Sequence, residues 1–172
     1  MAAHTPALAT ANADPEVMRH IGRGATLHAE GTAAQSAAFA AHWARFGFGL
    51  WAATVKETGE TIGFVGLSHP LWLPGYEGSV EVGWRLVRAA WGQGFATEGG
   101  REAVRVGFEE LGLPEIISLI HPDNLASAGV ARKLGLTLRE ALTHPRSGAP
   151  VDAYSISAPG RRGAVGSPGG PT

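Results

Sequence analysis

The chain has 172 residues, enough for one domain that buries roughly 68–70% of its unfolded surface and needs no metal or disulfide to hold a core. It contains no cysteine, which excludes disulfides, thiolate metal sites and cysteine nucleophiles. Fourteen basic against fifteen acidic residues leave a formal charge of −1, so no overall field draws it to nucleic acid or to an anionic bilayer.

No stretch reaches the ~18 uncharged apolar residues of a membrane helix, and the start MAAHTPALATANADPE lacks the basic and apolar regions of a signal peptide. A cytoplasmic protein is expected. Residues 1–13 and 158–172 are poor in large apolar side chains and read as a flexible lead and a disordered tail around a domain at 14–157.

Thr32 followed three residues later by Gln35 resembles a capping box, and Ala37, Phe39, Ala40, Trp43 and Phe46 supply an apolar helical face, predicting a helix over 32–46. LWAATVKETGETIGFVGLSH then reads as a hairpin with Gly59 in its turn. After the loop PLWLPGYEG, Val80, Val82, Trp84 and Leu86 alternate with Glu81, Gly83 and Arg85. One strand face is therefore apolar, and the other carries a carboxylate and a guanidinium.

From Phe95, the residues Gly100, Ala103, Val104, Gly107, Phe108 and Leu111 recur at helical spacing until Gly112 and Pro114 stop the helix. EIISLI is apolar enough for a strand buried on both faces. A short helix follows, capped by Asp123 or Asn124 and ended by Gly135, and LTLREAL and VDAYSIS close the chain as strands. The predicted fold is mixed α/β (α+β), with one largely antiparallel central sheet, a parallel pair in a right-handed βαβ unit, and flanking helices.

The junction RAAWGQGFATEGG places Gly92 and Gly94 where the first N–H groups of a helix lack intrahelical partners. Such a terminus seats an anion through backbone and dipole without a lysine. It is not a P-loop, since no Lys-Ser or Lys-Thr follows, and it lacks the third glycine and distal acid of a dinucleotide fingerprint.

Taken in order, the blocks DPEVMRHIG, HWARFGFGLWAA, ETGETIGFVGLS, VEVGWRLVRAAWGQGFATEGGREAV, HPDNLASAGVARKLGL and LTHPR resemble the GNAT N-acetyltransferases, within them the RimJ/RimL-like branch. The resemblance spans roughly 14–157. It implies the GNAT acyl-CoA N-acyltransferase fold with a splayed parallel pair, and an acetyl-CoA site whose motif Q/R-x-x-G-x-G/A lies on residues 91–96. Gly94 and Ala96 match, while Trp91 stands in place of the usual first residue. Gly92, Gln93, Gly94, Phe95, Ala96 and Thr97 are thereby expected to cradle the pyrophosphate, and Leu86, Val87 and Arg88 to line the pantetheine arm. Asn124 and Ser127 match the branch's N-x-x-S element, which puts Asn124 on the cofactor arm and Ser127 near the thioester sulfur. Asn124 is equally expected to cap its helix.

The implied reaction moves acetyl from acetyl-CoA to a primary amine, a protein N-terminal α-amino group by branch, with a small-molecule amine such as a polyamine or antibiotic as alternative. A CoA-binding module without turnover is a further reading. Such an amine must lose a proton before attack. Glu81 resembles a strand glutamate used as base in part of the superfamily, and Ser127 is the expected proton donor to sulfur. An ion pair between Glu81 and Arg85 is the alternative for that carboxylate. Glu98 is read as a helix-dipole residue. No histidine pair has zinc-helix spacing, so no metal is expected.

The acceptor is expected between the loops 26–32 and 71–78, in a monomer or homodimer with no nucleic-acid or membrane partner. Relatives have a first strand and a longer lead before the Asp14 block. Only 13 residues precede it here, so either the start is placed too late or the sheet lacks an edge strand. Gly99 and Gly100 replace better helix formers.

Overall fold

Six strands form one sheet in the order β1-β2-β3-β4-β6-β5 in a computed structural model that describes residues 5–160. These are β1 (Leu50–Thr54), β2 (Thr61–Ser68), β3 (Glu81–Leu86), β4 (Glu115–Ile120), β5 (Thr137–Thr143) and β6 (Pro150–Ser157). All neighbours are antiparallel except β3 and β4. The helices are α1 (Thr5–Ala13), α2 (Pro15–Met18), α3 (Ala29–Phe46), α4 (Phe95–Arg105) and α5 (Leu125–Lys133). The mixed sheet with a single parallel pair is the architecture expected from the order of elements.

Adjacent residues on β2 show how the layers stack. Phe64 meets Phe39 of α3 edge to face at 5.1 Å, whereas Val65 packs under Gly99 of α4. Successive strand residues point to opposite faces, so α3 and α4 cover opposite sides of the sheet. The core on the α4 side is built from Leu67, Val82, Ile116, Ala131 and Leu136, each at most 1% exposed. β4 is buried at Ile116, Ile117 and Ser118 in succession, as its unbroken apolar run requires.

Two expectations are corrected at the amino-terminal end. Residues 5–13, read as part of a flexible lead, form α1, and its Leu8, Ala11 and Asn12 are buried against α3 and the sheet. The small-residue composition hid this, because alanine packs closely without the apolar signature of larger side chains. Helix α3 starts three residues before Thr32, with His28 at its N-cap. Thr32 and Gln35 do not form a capping box. They receive the Asn12 amide, Nδ2 donating to Thr32 Oγ1 at 3.1 Å and to Gln35 Oε1 at 3.0 Å. Residues 1–4 and 161–172, including most of the expected tail, lie outside the described residues.

Gly99 and Gly100 are also explained. A Cβ on Gly99 would stand 2.6 Å from Val65 Cγ1, and one on Gly100 2.7 Å from Leu134 Cδ1. Helix propensity is given up so that α4 can sit close to β2 and to the end of α5. Beyond Arg105 the helix widens into a π-turn, Val106–Glu110, before Gly112 at φ 64° ends it.

Candidate active site

The parallel pair is joined at one register position, Glu81 opposite Ile117, with the Ile117 N–H donating to the Val80 carbonyl at 2.9 Å. Beyond it the strands part. The Val87 N–H bonds to Ile62 O of β2, and alternation along the strand then turns the backbone groups of Val82, Trp84 and Leu86 toward β4. With β4 splayed away, the Trp84 and Leu86 N–H groups face an open cleft of about 750 Å³. The Leu86 carbonyl is taken by the Trp91 indole N–H at 3.0 Å. Trp91 thus keeps one edge of the opening in shape.

At the end of the cleft lies the glycine turn. Gly92 and Gly94 adopt φ 74° and 91°, a region L side chains rarely enter, and a Cβ on either would meet nothing within 4 Å. Backbone conformation therefore selects glycine there, and the space above remains open. Gly94 is the N-cap of α4 and supplies no side chain, so its carbonyl receives Thr97 and Glu98 while nothing caps the turn. Among the described residues the N–H groups of Gly92, Gln93, Gly94, Phe95 and Ala96 find no backbone acceptor. Orphaned donors at the positive end of an eleven-residue helix fit a phosphate group.

Glu81 sits where the strands begin to part. Its Oε1 accepts the Leu119 N–H at 3.3 Å, and burial pushes its pKa up to about 7, the hydrogen bond from Leu119 opposing that shift. It does not pair with Arg85. The Arg85 Nη1 donates instead to Asn12 Oδ1 and Gln35 Oε1, which overturns the ion-pair alternative. Asn124 caps α5, its Oδ1 accepting the Ser127 N–H at 3.1 Å, and both residues line the cleft.

Leu86, Gly92, Gly94, Phe95, Ala96 and Thr97 line the same cleft as Glu81, Asn124 and Ser127. Three expected residues do not. Arg88 is exposed and its Nε lies 3.3 Å from Asp14 Oδ2, and Gln93 folds back so that Nε2 donates to Ala89 O at 2.8 Å. Val87 spends its N–H on β2. The loops 26–32 and 71–78, between which the acceptor is expected, do not line this cleft, whose wall includes Glu16 of α2 and Arg19 and His20 just after it. Loop 71–78 docks elsewhere, with Trp72 stacked on His144 at 4.4 Å and Tyr76 Oη donating to Glu140 Oε1 at 2.6 Å.

Sequence reasoning also missed His121 and Lys133 as cleft residues. The former was marked only by its place before Pro122, and the latter by nothing. His121 Nδ1 takes the Asp123 N–H, and His144 Nδ1 takes those of Arg146 and Ser147. Among the described residues no three histidine or acidic side chains converge as a metal site.

A splayed parallel pair thus lies beside a glycine-opened helix terminus, and residues 1–137 match the family described as Acetyltransferase (GNAT) domain. The chain belongs to that family. It is 37% identical over 133 residues to the FsC-acetyl coenzyme A-N(2)-transacetylase of Aspergillus fumigatus, covering 72% of this chain and 54% of that protein. The chain spans about half the length of the curated relatives it matches. An acetyltransferase from Agrobacterium tumefaciens superposes with a TM-score of 0.76 at 29% identity, covering 91% of this chain and 86% of its own. RimL, a ribosomal L7/L12 alpha-N-protein acetyltransferase solved with coenzyme A, shares the fold at a TM-score of 0.70 and 19% identity, covering 91% and 89%.

Proposed function

We propose that the chain is an N-acetyltransferase of the RimJ/RimL-like kind, moving the acetyl group of acetyl-CoA to a primary amine, in the first place a protein N-terminal α-amino group. The observation that carries this reading is the coincidence of two unpaired backbone sets in one cleft. One is Trp84 and Leu86 at the splay, and the other is the uncapped turn 92–96. Nothing in the sheet needs those donors, and together they match a molecule with a phosphate at one end and an amide-bearing arm at the other. The relative named as an acetyl-coenzyme A transacetylase and the CoA-bound fold neighbour support the same co-substrate.

When bound there, acetyl-CoA supplies the activated acyl group, and the residues of the chain do the rest. Glu81 accepts a proton from the acceptor ammonium, directly or through water, and a pKa of about 7 suits a base working near neutrality. The Trp84 or Leu86 N–H is aimed to hold the oxygen that becomes negative as the amine adds. Ser127, in the first turn of α5, donates to the departing sulfur.

A small-molecule amine remains the second acceptor class. A polyamine is disfavoured by one observation: beside Glu16, Glu81 and Asp123 the cleft also presents Arg19, Arg85 and Lys133. A polycation would meet no net negative wall. A cytoplasmic enzyme, monomeric or dimeric and without nucleic-acid or membrane partners, fits this chemistry. No helix among the described residues is long and apolar enough to cross a membrane.

Calorimetric titration with acetyl-CoA and with CoA, on the native chain and on Gly94→Glu, is the test. Binding by the native chain that the glutamate abolishes supports the reading. Native protein that is folded and binds neither overturns it, and binding without acetylation of any amine identifies a CoA-binding module.

A further inference from the structure

Arg85 is the unexplained charge of the cleft. Its guanidinium is withdrawn from solvent beneath α1 and α3, lies 5.4 Å from the centre of the Phe64 ring, and makes hydrogen bonds through Nη1 only, to the neutral amides of Asn12 and Gln35. Nε is buried without any partner, and among the described residues Nη2 makes no hydrogen bond but is not enclosed. Burial pushes the Arg85 pKa down to about 10, as expected for a cation that has lost water without gaining a counter-ion. A buried group of this kind ordinarily has a carboxylate beside it. The nearest candidate on its own strand, Glu81, is engaged with Leu119.

The space between the two is also unusual. Glu81, Gly83 and Arg85 share one face of β3 and all line the cleft. Gly83 has ordinary backbone angles, and a Cβ there would meet nothing within 4 Å, so neither conformation nor crowding requires glycine. What its bareness does is leave an open floor between a carboxyl group and a guanidinium whose Cα atoms are about 13 Å apart along the strand.

We infer that Arg85 reads the acceptor, and that the preferred acceptor is an amine carrying a carboxylate a few bonds from its nitrogen, as in a short acidic peptide. This deepens the proposed acetyl transfer and rests on it. The amine lies at the Glu81 end and the carboxylate reaches across Gly83 to Nη2, the guanidinium nitrogen that makes no hydrogen bond and is not enclosed. Asn12 and Gln35 hold Nη1 in place. The carboxylate is either an acidic side chain at the second position of a protein N-terminus or the C-terminal carboxylate of a free dipeptide.

The test is calorimetric binding of reaction products, which needs no turnover, to the full chain with CoA present. The probes are acetyl-Ala-Asp-amide, acetyl-Ala-Asn-amide, acetyl-Ala-Ala with a free carboxylate, and its amide. Acidic probes binding at least ~10-fold more tightly than their neutral partners is expected, since an uncharged isostere loses the charged hydrogen bond to the guanidinium. The preference should fall below ~2-fold in Arg85→Gln and survive in part in Arg85→Lys, which also serves should the glutamine variant not fold. Preference for the Asp side chain points to a protein N-terminus, and preference for the free C-terminus to a dipeptide. Equal affinity of acidic and neutral probes, a preference that persists in Arg85→Gln, or no binding of either acidic probe overturns the inference. CoA binding and CoA release with simple amines are read separately, so loss of the acetyltransferase reading is distinguishable from loss of this one.

Discussion

The Leu119 N–H donates to Glu81 Oε1 across the mouth of the splay, so a side chain stands where a continuing parallel ladder would have placed a β3 carbonyl. One carboxyl thereby ends the pairing of β3 with β4 and occupies the floor of the cleft that the parting creates.

The rate of acetyl transfer should follow that carboxyl. With its pKa at about 7, the proton-accepting form is lost as pH falls below 7, so kcat/KM should drop on the acid side. Glu81→Gln should lower kcat/KM by ~10²–10⁴-fold and remove the acid limb attributable to this group. CoA release measured from pH 5.5 to 9 checks both, and a Gln variant that keeps the native limb would contradict the assignment.

The same shift has a stability consequence of opposite sense. Between the ordinary glutamate value of 4.5 and about 7, the unfolded chain ionises before the folded one, so the Glu81 contribution falls as pH rises through that window. Urea unfolding at pH 5 and pH 8 should show the native chain losing stability relative to Glu81→Gln at the higher pH.

His42 behaves the other way. Its Nε2 accepts the His69 N–H at 3.0 Å, which fixes the neutral ring with Nδ1–H donating to Phe48 O, and burial lowers its pKa from 6.5. The unfolded chain then takes up the proton first, so stability is full above pH 6.5 and declines as pH falls below it. His42→Gln should flatten that acid-side decline in thermal unfolding curves.

Gly99→Ala and Gly100→Ala should destabilise although alanine is the better helix former. The propensity gain of up to ~1 kcal/mol is set against overpacking of ~1–3 kcal/mol, because Val65 and Leu134 stand where the new methyl would go. Chemical denaturation decides the sign.

Trp91→Phe should weaken CoA binding with little effect on the fold. The ring remains 45% exposed in the native chain, and the change removes chiefly the hydrogen bond to Leu86 O, worth ~0.5–1.5 kcal/mol. A titration with CoA reads the difference, and unchanged affinity would mean that the splay keeps its shape without it.

Much of this protein is written in local pattern. The alternation from Val80 to Leu86, the unbroken apolar run of β4 and the glycines at 92 and 94 follow from periods and backbone preferences that operate over a few residues, and so does the Asn124 cap. From these the sheet, the parallel unit and the glycine turn that opens α4 could be expected.

What tertiary structure alone decided are the relations between distant segments. Helix α1 had no readable signal, because its small residues become a packing surface only once α3 and β2 lie against them. Thr32 and Gln35 had the spacing of a cap, yet a buried Asn12, twenty residues before Thr32, claimed them both. Arg85 stands four residues from Glu81 on the same strand face, a spacing that suggested an ion pair, yet Arg85 meets Asn12 of α1 and Gln35 of α3 while Glu81 takes the Leu119 N–H of β4. Sequence fixes which groups a short segment presents. Which of them meet is settled by burial, where each polar group takes whatever partner the packed layers bring within reach.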